Sequence, residues 1–386
     1  MNKSIYPVKY HIMRMSTVFS LVFPKNKRIL FLVRLFTPHI GGVETHVSKL
    51  TEQALLDGNT VRIITSQYDP ILPYKSRFLL AGNPHLPTDN LFIYRIPNVP
   101  LNDSKISITQ KVYLRIHVWW WMVRHIFLFL RADIVHIHDI FWWYWPIKII
   151  FPWKKVYVTF HGFEVGSMPT QKAKRVRKLI TFFSTGTVAI GAWIAKWYGT
   201  KSAIVLYGAS DCKVSSARKR SSSILSAVFI GRLEDDTGIL AYIDAIKKQK
   251  NIQLSIYGEG KYKEKIIRET KKSKNIVYEG VTTDVCTALQ QADIACVSSY
   301  LSIADALALN IPVIAYATDE LKKDYLCSHP AHGSFTIVES KNELESVLKN
   351  WKISKKKRKV VSAQNWVKKN TWKYIYLQYK KVWGFS

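Results

Sequence analysis

The stretch 292–317, ADIACVSSYLSIADALALNIPVIAYA, constrains the possible folds more than any other part of the chain. Its apolar residues 294–297 predict a short strand, and a serine pair then leads into an apolar helix built on 303–309. Asn310 tolerates the left-handed conformation in which helices end, and Pro312 starts a second apolar strand. This order predicts a doubly wound parallel sheet, which binds ligands at strand carboxyl ends and helix N-termini.

One carboxylate, Asp305, lies within the first turns of this apolar helix. A charge on a core helix needs a partner, which makes Asp305 a candidate for ligand binding. An exposed helix face, with an acid that complements the helix dipole, is a strong alternative on this segment alone.

Strands and helices alternate in two successive blocks, and 386 residues of which 48% are hydrophobic can form two cores. Residues 213–223, KVSSARKRSSS, are predicted to be the linker because they are polar and basic and have no apolar period. We therefore predict an N-terminal Rossmann-like domain over 1–212, a C-terminal one over 224–365, and a closing amphipathic helix within 366–386 that crosses back to the N-terminal domain. The predicted strands cover 28–36, 61–65, 91–96, 134–137, 156–160, 187–190 and 203–206 in the first block, and 227–230, 254–257, 276–278, 294–297, 313–317 and 335–338 in the second.

Two features lie at strand ends, where an open α/β sheet binds its ligands. Gly41 and Gly42 stand between the first strand and its helix, and a glycine pair lets backbone amides approach a phosphate or sugar closely. Tight turns use glycine for steric reasons as well, so the pair alone is a weak signal. His161 follows the strand 156–160 directly. A histidine there is as often structural as a ligand, but its place at the strand end favours a functional role.

Several classes of site are excluded by the motifs. The GEGKYK segment at 258–263 lacks the third glycine of a dinucleotide fingerprint, and the chain has no P-loop. No His, Cys and Asp residues cluster with metal-ligand spacing, and the pair Asp235–Asp236 is better explained by turn solvation than by metal binding. The sequence therefore predicts neither a dinucleotide oxidoreductase nor a bound metal.

The cysteines and the apolar segments predict a cytoplasmic protein. Residues 16–23 are too short for the core of a signal peptide, and arginines and histidines interrupt the apolar segment 112–130. The four cysteines show no CxxC or paired spacing, and we expect buried thiols in a reducing compartment: Cys212, Cys286, Cys296 and Cys327.

The net charge of +30 requires a polyanionic partner, which can be nucleic acid, an anionic membrane or a phosphorylated substrate. Thirteen tryptophans favour the membrane interface, and 117–130 and 140–155 mix Trp and Phe with cations. The alternative is that several of the tryptophans are buried in the hydrophobic core. Residues 119–121 are all Trp, however, and cannot all point inward on one helix. We therefore expect a peripheral protein at the inner face of a membrane.

The chain resembles, over nearly its full length, the GT-B glycosyltransferases of the large retaining family 4. The resemblance implies two Rossmann-like domains that face a cleft, and transfer of a hexose-type sugar from a nucleotide-sugar to a lipid-linked or membrane glycan acceptor. It implies no metal and no cofactor. The matching segments are PHIGGVETHVSKL at 38–50, ADIVHIH at 132–138, VTFHGFE at 158–164, VFIGRLEDDTGI at 228–239, LSIYGEG at 254–260, the stretch 292–317, and NTWKYIYLQY at 370–379.

The resemblance also implies roles for individual residues. His161 matches the histidine that faces the sugar, and Arg232 matches the arginine that neutralises the leaving diphosphate. Asp305 matches the acid that binds the ribose hydroxyls. The catalytic residues implied are His161 and Arg232, and the donor-binding ones are Gly41, Gly42, Gly231, Arg232, Gly258, Tyr300, Ser302 and Asp305.

Two departures from the family pattern leave a second function class open. Thr237 stands where the family commonly has a lysine, and the first acid of the family's acidic pair is missing near Tyr300 and Ser302. Amides of Ser302 and Ile303 at the helix N-terminus are candidates to hold phosphate oxygens instead. The alternative is a degenerate GT-B pseudoenzyme that acts as a membrane-bound partner subunit. A nucleic-acid-binding protein is a third possibility, but the chain has no recognition module, so no nucleic acid is expected.

Overall fold

The computed structural model of the protein describes residues 26–76, 88–101, 106–162, 168–214, 224–351 and 353–385, without the side chains of 353–359. The segment 16–23 and most of the predicted linker, 215–223, lie outside these ranges. No helix in the described ranges is both long enough and apolar enough to cross a bilayer.

The first sheet has eight strands in the order β3-β4-β2-β1-β5-β6-β7-β8, all parallel except β3. Apolar runs form its buried strands, as the sequence predicted, whereas the two-residue edge strand β3 has no apolar pattern and was not predicted. The strands are β1 Arg28–Val33, β2 Thr60–Ser66, β3 Lys75–Ser76, β4 Leu91–Ile96, β5 Ile134–His138, β6 Val156–Phe160, β7 Gly186–Ile190 and β8 Ile204–Leu206. The helices are α1 Gly42–Leu56, α2 Ile108–Arg124, α3 Ile126–Arg131, α4 Trp145–Ile150, α5 Gln171–Phe183 and α6 Trp193–Tyr198.

The second sheet has six parallel strands in the order β11-β10-β9-β12-β13-β14. Two parallel sheets, each with helical connections, confirm the predicted doubly wound α/β class. The strands are β9 Leu225–Ile230, β10 Ile252–Tyr257, β11 Ile276–Gly280, β12 Ile294–Cys296, β13 Val313–Tyr316 and β14 Thr336–Val338. The helices are α7 Ile239–Lys247, α8 Lys263–Thr270, α9 Val285–Gln290, α10 Tyr300–Ala308, α11 Glu320–Cys327, α12 Lys341–Lys349, α13 Ile353–Lys369 and α14 Trp372–Trp383.

The stretch 292–317 folds as its pattern predicted. It forms β12, α10 and β13, and the Ser299 side chain caps α10 by accepting a hydrogen bond from the amide of Ser302. Asn310 has a φ of 58° just after the helix, which confirms its left-handed conformation.

The closing helix differs from the prediction of one helix over 366–383. Residues 366–369 belong to α13, and a new helix begins after Thr371, whose side chain caps it by accepting from the Tyr374 amide. A threonine in extended conformation with its hydroxyl on the third amide is a strong N-cap, which explains the break. Helix α14 packs on the N-terminal sheet: Tyr376 donates to Asp57 at 2.9 Å, and Tyr157 donates to the carbonyl of Trp383 at 3.1 Å.

The prediction of four buried thiols was wrong for three of the four cysteines. Cys212 and Cys286 form a disulfide although 74 positions separate them, because the fold brings the end of the N-terminal domain beside α9. Cys296 is a buried free thiol, as predicted, but Cys327 is exposed. Sequence spacing alone carries no signal for such a long-range pair.

Candidate active site

The N-terminal wall of the site is formed by the ends of β5 and β6. Nδ1 of His138 lies 2.8 Å from Nε2 of His161. The amide of His161 donates to Oδ1 of Asp139 at 3.1 Å, and Asp139 has the positive φ of 61° that this turn needs. The predicted residue His161 is therefore held both through its ring and through its backbone.

A third histidine, His46 on α1, lies beside the pair formed by His138 and His161. Its ring stands edge-on to the ring of His161 at 5.0 Å between centroids, and its Nε2 is 2.9 Å from Oη of Tyr379. Burial lowers the pKa of His46 to about 3 and holds the pKa of His161 well below the usual value. Both imidazoles are therefore neutral at neutral pH, and each has one donor and one acceptor nitrogen.

A hydrogen-bond chain connects this cluster to α14. Nε1 of Trp383 donates to Nδ1 of His136 at 2.9 Å, so the His136 proton is on Nε2, which donates to Oγ1 of Thr159 at 2.7 Å. Thr159 is 2.9 Å from Oη of Tyr379, which also meets His46. Sequence reasoning missed these residues, although the spacing of His136 and His138 places both on one face of a strand.

The C-terminal wall begins at the exit of β9. The predicted residue Arg232 follows Gly231 there, and its side chain is 62% exposed with Nη2 2.7 Å from Oδ2 of Asp236. The hydroxyl of Thr237 donates to the carbonyl of Glu234 at 2.8 Å, within its own loop. Both side chains are bonded within this loop, but the guanidinium of Arg232 is also largely exposed and can therefore contact a ligand.

Gly258 has a structural explanation at the end of β10. A Cβ atom at Gly258 would lie only 1.9 Å from the carbonyl oxygen of Gly231, and its φ is 149°. Glycine is required here because the exits of β9 and β10 approach each other closely. Nothing in this packing needs a ligand, so a donor contact by Gly258 stays a prediction.

The N-terminus of α10 is more occupied than the sequence suggested. Tyr300 is buried and stacked on Tyr325 at 3.8 Å, its hydroxyl donates to the Tyr325 carbonyl at 2.6 Å, and its amide donates to Oη of Tyr325 at 2.8 Å. The Ser302 hydroxyl is 2.9 Å from that of Ser299, and the Ile303 amide donates to the Ser299 carbonyl at 2.9 Å. In this structure these groups already have partners, so any donor contact by Tyr300, Ser302 or Ile303 would require an exchange of bonds.

Asp305 does not lie on an exposed helix face. Burial raises the pKa of its carboxyl group to about 6, with the nearby charge of Asp211 adding to the rise and Ser210 and Lys49 opposing it. Its Oδ1 is 3.6 Å from Sγ of Cys212. The carboxylate therefore lies against residues 210–212, at the end of the N-terminal domain. Its negative charge is poorly solvated there, which lowers the stability of the folded protein.

The two walls meet at the first turn of α10. A Cβ atom at Gly42 would be 3.8 Å from Leu301, and one at Gly191 would be 2.7 Å from the Tyr300 hydroxyl. Farther along, the rings of Trp193 and Tyr325 are 5.9 Å apart. The structure thus brings Gly42, with Gly41 before it, to the helix that carries Tyr300, Ser302 and Asp305.

Comparisons with known proteins agree with this architecture. A family model described as Glycosyltransferase Family 4 matches residues 40–202, and one described as Glycosyl transferases group 1 matches 225–346. No curated protein sequence matches the chain.

Similar solved structures share the fold over nearly their whole length. Sucrose-phosphate synthase from Thermosynechococcus elongatus has a TM-score of 0.69 at 17% identity, covering 93% of this chain and 98% of that one. Anabaena HepE in complex with UDP and glucose has a TM-score of 0.64 at 15% identity, with 92% and 99% covered. WaaG, a glycosyltransferase involved in lipopolysaccharide biosynthesis, has 0.63 at 12%, with 93% and 100% covered. These structures support the GT-B fold, and with the two family matches they identify the protein as a GT-B glycosyltransferase of group 1 that resembles family 4.

Proposed function

We propose that the protein moves a hexose-type sugar, with retention of configuration, from a nucleotide-sugar to a hydroxyl group of a lipid-linked or membrane glycan acceptor. A nucleotide-sugar donor is supported by HepE, a similar structure described in complex with UDP-glucose. The acceptor class is supported by the surface of the N-terminal domain described below.

The observation that carries the donor assignment is the exposed guanidinium of Arg232 at the exit of β9. Negative charge develops on the diphosphate as the bond to the sugar breaks, and a fixed cation at that point lowers the barrier. In this proposal Arg232 does the work that a metal ion does in other enzymes, and no metal or cofactor is needed.

His161 acts on the sugar in this proposal. Its ring is neutral because burial holds its pKa low. It can therefore form one hydrogen bond with a sugar hydroxyl without bringing a charge into the site. The contact with His138 fixes the ring orientation. Asp305 binds the ribose, because its carboxylate oxygens can accept hydrogen bonds from the ribose hydroxyls.

The acceptor assignment rests on an apolar and cationic face, which we call the α2–α5 face. Trp119 donates to the carbonyl of Trp142 at 2.8 Å, and rings of Trp145 and Phe183 are 5.3 Å apart, so α2, α4 and α5 are neighbours. Large apolar side chains are exposed on these helices, on α3 and just after α4: Tyr113, Ile116, Trp120, Phe127, Ile149, Trp153, Leu179 and Phe182. Cations on the same helices and their flanks are Lys111, Arg115, Arg124, Arg131, Lys155, Lys172, Lys174 and Lys178.

This combination fits the inner, anionic surface of a membrane. Tryptophan prefers the headgroup level, and each cation near an anionic surface contributes roughly 1 kcal/mol. An enzyme bound at this surface can reach a lipid-linked acceptor while the acceptor stays in the membrane. The proposed location is therefore peripheral, at the cytoplasmic face.

A donor screen tests the proposal and its alternatives. Nucleotide-sugars are added to the full chain, and thermal shift and donor hydrolysis without acceptor are both measured, since a ligand at about 100 times its Kd stabilises by about 2.7 kcal/mol. Binding with hydrolysis is the expected result, and binding without any turnover would favour the pseudoenzyme. Salt-sensitive binding to DNA instead of anionic vesicles would favour the nucleic-acid alternative.

A further inference from the structure

Lys322 is a buried cation close to the proposed donor site. It is 4% exposed, lies on α11, and has its Nζ 4.5 Å from the ring centroid of Tyr325. The amide of the same residue donates to Asp319 at 2.7 Å, which fixes the first turn of the helix. A lysine is rarely buried without a reason, because its charge loses the solvation of water.

The sheet order places Lys322 and Arg232 at the same edge of the second sheet, one strand apart. Strands β9, β12 and β13 are neighbours, and their exits carry Arg232, the start of α10 and the start of α11. Tyr325 connects the starts of α10 and α11, since its hydroxyl accepts from the Tyr300 amide while its ring faces Lys322. Lys322 therefore belongs to the same carboxyl edge of the sheet at which a donor diphosphate is expected.

Both cations lie near one carboxylate, that of Asp236. Arg232 is bonded to Asp236 at 2.7 Å, and Lys322 is within electrostatic range of both Asp236 and Arg232. Two cations near one half-buried anion form a site in which a phosphate oxygen can replace that anion. The β9 loop has no lysine of its own, since Thr237 stands five positions after Arg232 and bonds within the loop.

We propose that Lys322, from α11, is the second cation that binds the donor diphosphate, and that Asp236 occupies the place of a phosphate oxygen in the free protein. This inference rests on the proposed function. As the sugar C1–O bond breaks, its electron pair stays on the diphosphate oxygen. The acceptor oxygen bonds to C1 and its proton passes to the diphosphate, while Arg232 and Lys322 stabilise the charge that develops.

The first test is Lys322→Met, with Lys323→Met as the matched control. Lys323 is the next residue of α11, but its amine pairs with Glu339 at 2.9 Å and not with the site. A nucleoside diphosphate that binds the wild type is compared with its monophosphate by calorimetry. Lys322→Met should weaken the diphosphate about tenfold and leave the monophosphate within about twofold, whereas Lys323→Met changes neither. The variant should fold, because an apolar side chain of similar length removes a buried charge.

The second test is rescue. Adding Thr237→Lys to Lys322→Met places a lysine where the family commonly has one, and it should restore most of the lost diphosphate affinity. Lys322→Arg tests the charge itself. Burial, together with the charge of Arg232, lowers the pKa of Lys322 to about 8, while the charges of Asp236 and Asp319 oppose this shift. Wild-type diphosphate affinity should therefore fall above pH 8. Arginine stays charged, so Lys322→Arg should keep its affinity at that pH.

Different results would overturn the proposed function and the proposed role of Lys322. Wild-type protein that binds no nucleoside diphosphate or nucleotide-sugar overturns both. Wild-type binding together with unchanged diphosphate affinity in Lys322→Met overturns only the role of Lys322. Equal weakening of diphosphate and monophosphate, without rescue by Thr237→Lys, means that Lys322 supports the fold of the site and does not bind the diphosphate, which also overturns the inference.

Discussion

Nδ1 of His138 lies 2.8 Å from Nε2 of His161, and this contact determines the tautomer of both rings. Burial keeps both pKa values well below the usual range, so one ring donates and the other accepts. Nε2 of His138 is buried and has no hydrogen-bond partner among the described residues. An unpaired acceptor is tolerated better than an unpaired N–H. His138 therefore donates from Nδ1, and the proton of His161 is on its own Nδ1.

His138→Phe should lower the transfer rate with little effect on donor binding. Without the contact from His138, the ring of His161 is free to turn and change tautomer, and loss of one hydrogen bond costs about tenfold. His138→Asn, whose amide can still donate, should retain most of the activity. Steady-state kcat and the donor Kd are measured for both. Equal kcat values in the two variants would contradict this role.

Arg232→Ala should remove most turnover and leave the fold intact, because the side chain is exposed. Loss of a fixed charge at the leaving group typically costs about 2.7–4 kcal/mol in the barrier. Arg268→Ala, an exposed arginine on α8, is the control. Near-normal transfer by the Arg232 variant, with a normal melting temperature, would refute the assignment.

Asp305→Asn should weaken nucleotide binding and stabilise the protein. The carboxylate is held in a desolvated place, and an amide of the same shape avoids that cost. The pKa of about 6 exceeds the value in the unfolded chain, so the cost is present above pH 6 and disappears as pH falls through 6 toward 4. The stability gap between variant and wild type should therefore close in that range. Unchanged nucleotide affinity would make Asp305 a structural acid.

The α2–α5 face should bind anionic vesicles through its exposed aromatic residues. Of the three consecutive tryptophans, Trp121 is 5% exposed and Trp120 is 64% exposed, which confirms that they do not all point inward. Trp119 bonds to the half-buried Trp142, so neither is a good choice for substitution. Changing Trp120, Trp153 and Phe182 to Ser should release the protein from vesicles without loss of nucleotide binding.

The control for that experiment changes exposed apolar residues elsewhere. Ile71→Ser and Val361→Ser remove side chains that are 89% and 63% exposed and lie outside the α2–α5 face. High salt should weaken binding only in part, since burial of aromatic rings is not screened. The hypothesis fails if the wild type never sediments with vesicles or if the control variants are released as well.

The sequence predicted features that depend on local pattern. Apolar runs located the buried strands, and Asn310 marked the end of α10 because its conformation is a property of the residue itself. Features that depend on distant partners were missed. Tyr300 is stacked on Tyr325, 25 positions away, and Cys212 bonds Cys286, 74 positions away. No local period reports such pairs, so the state of the α10 N-terminus could not be predicted.

Helix α14 has a consequence for how the chain is made. Its buried residues Tyr379 and Trp383 complete the core of the N-terminal sheet, yet the whole C-terminal domain precedes them in the chain. During synthesis the N-terminal domain therefore cannot complete its folding, because one face of its sheet stays uncovered until the C-terminal domain and α14 have left the ribosome. A fragment that stops before α14 would leave Nδ1 of His136 without its donor Trp383, and Thr159 without its contact to Tyr379, so the first domain to be translated is the last to be finished.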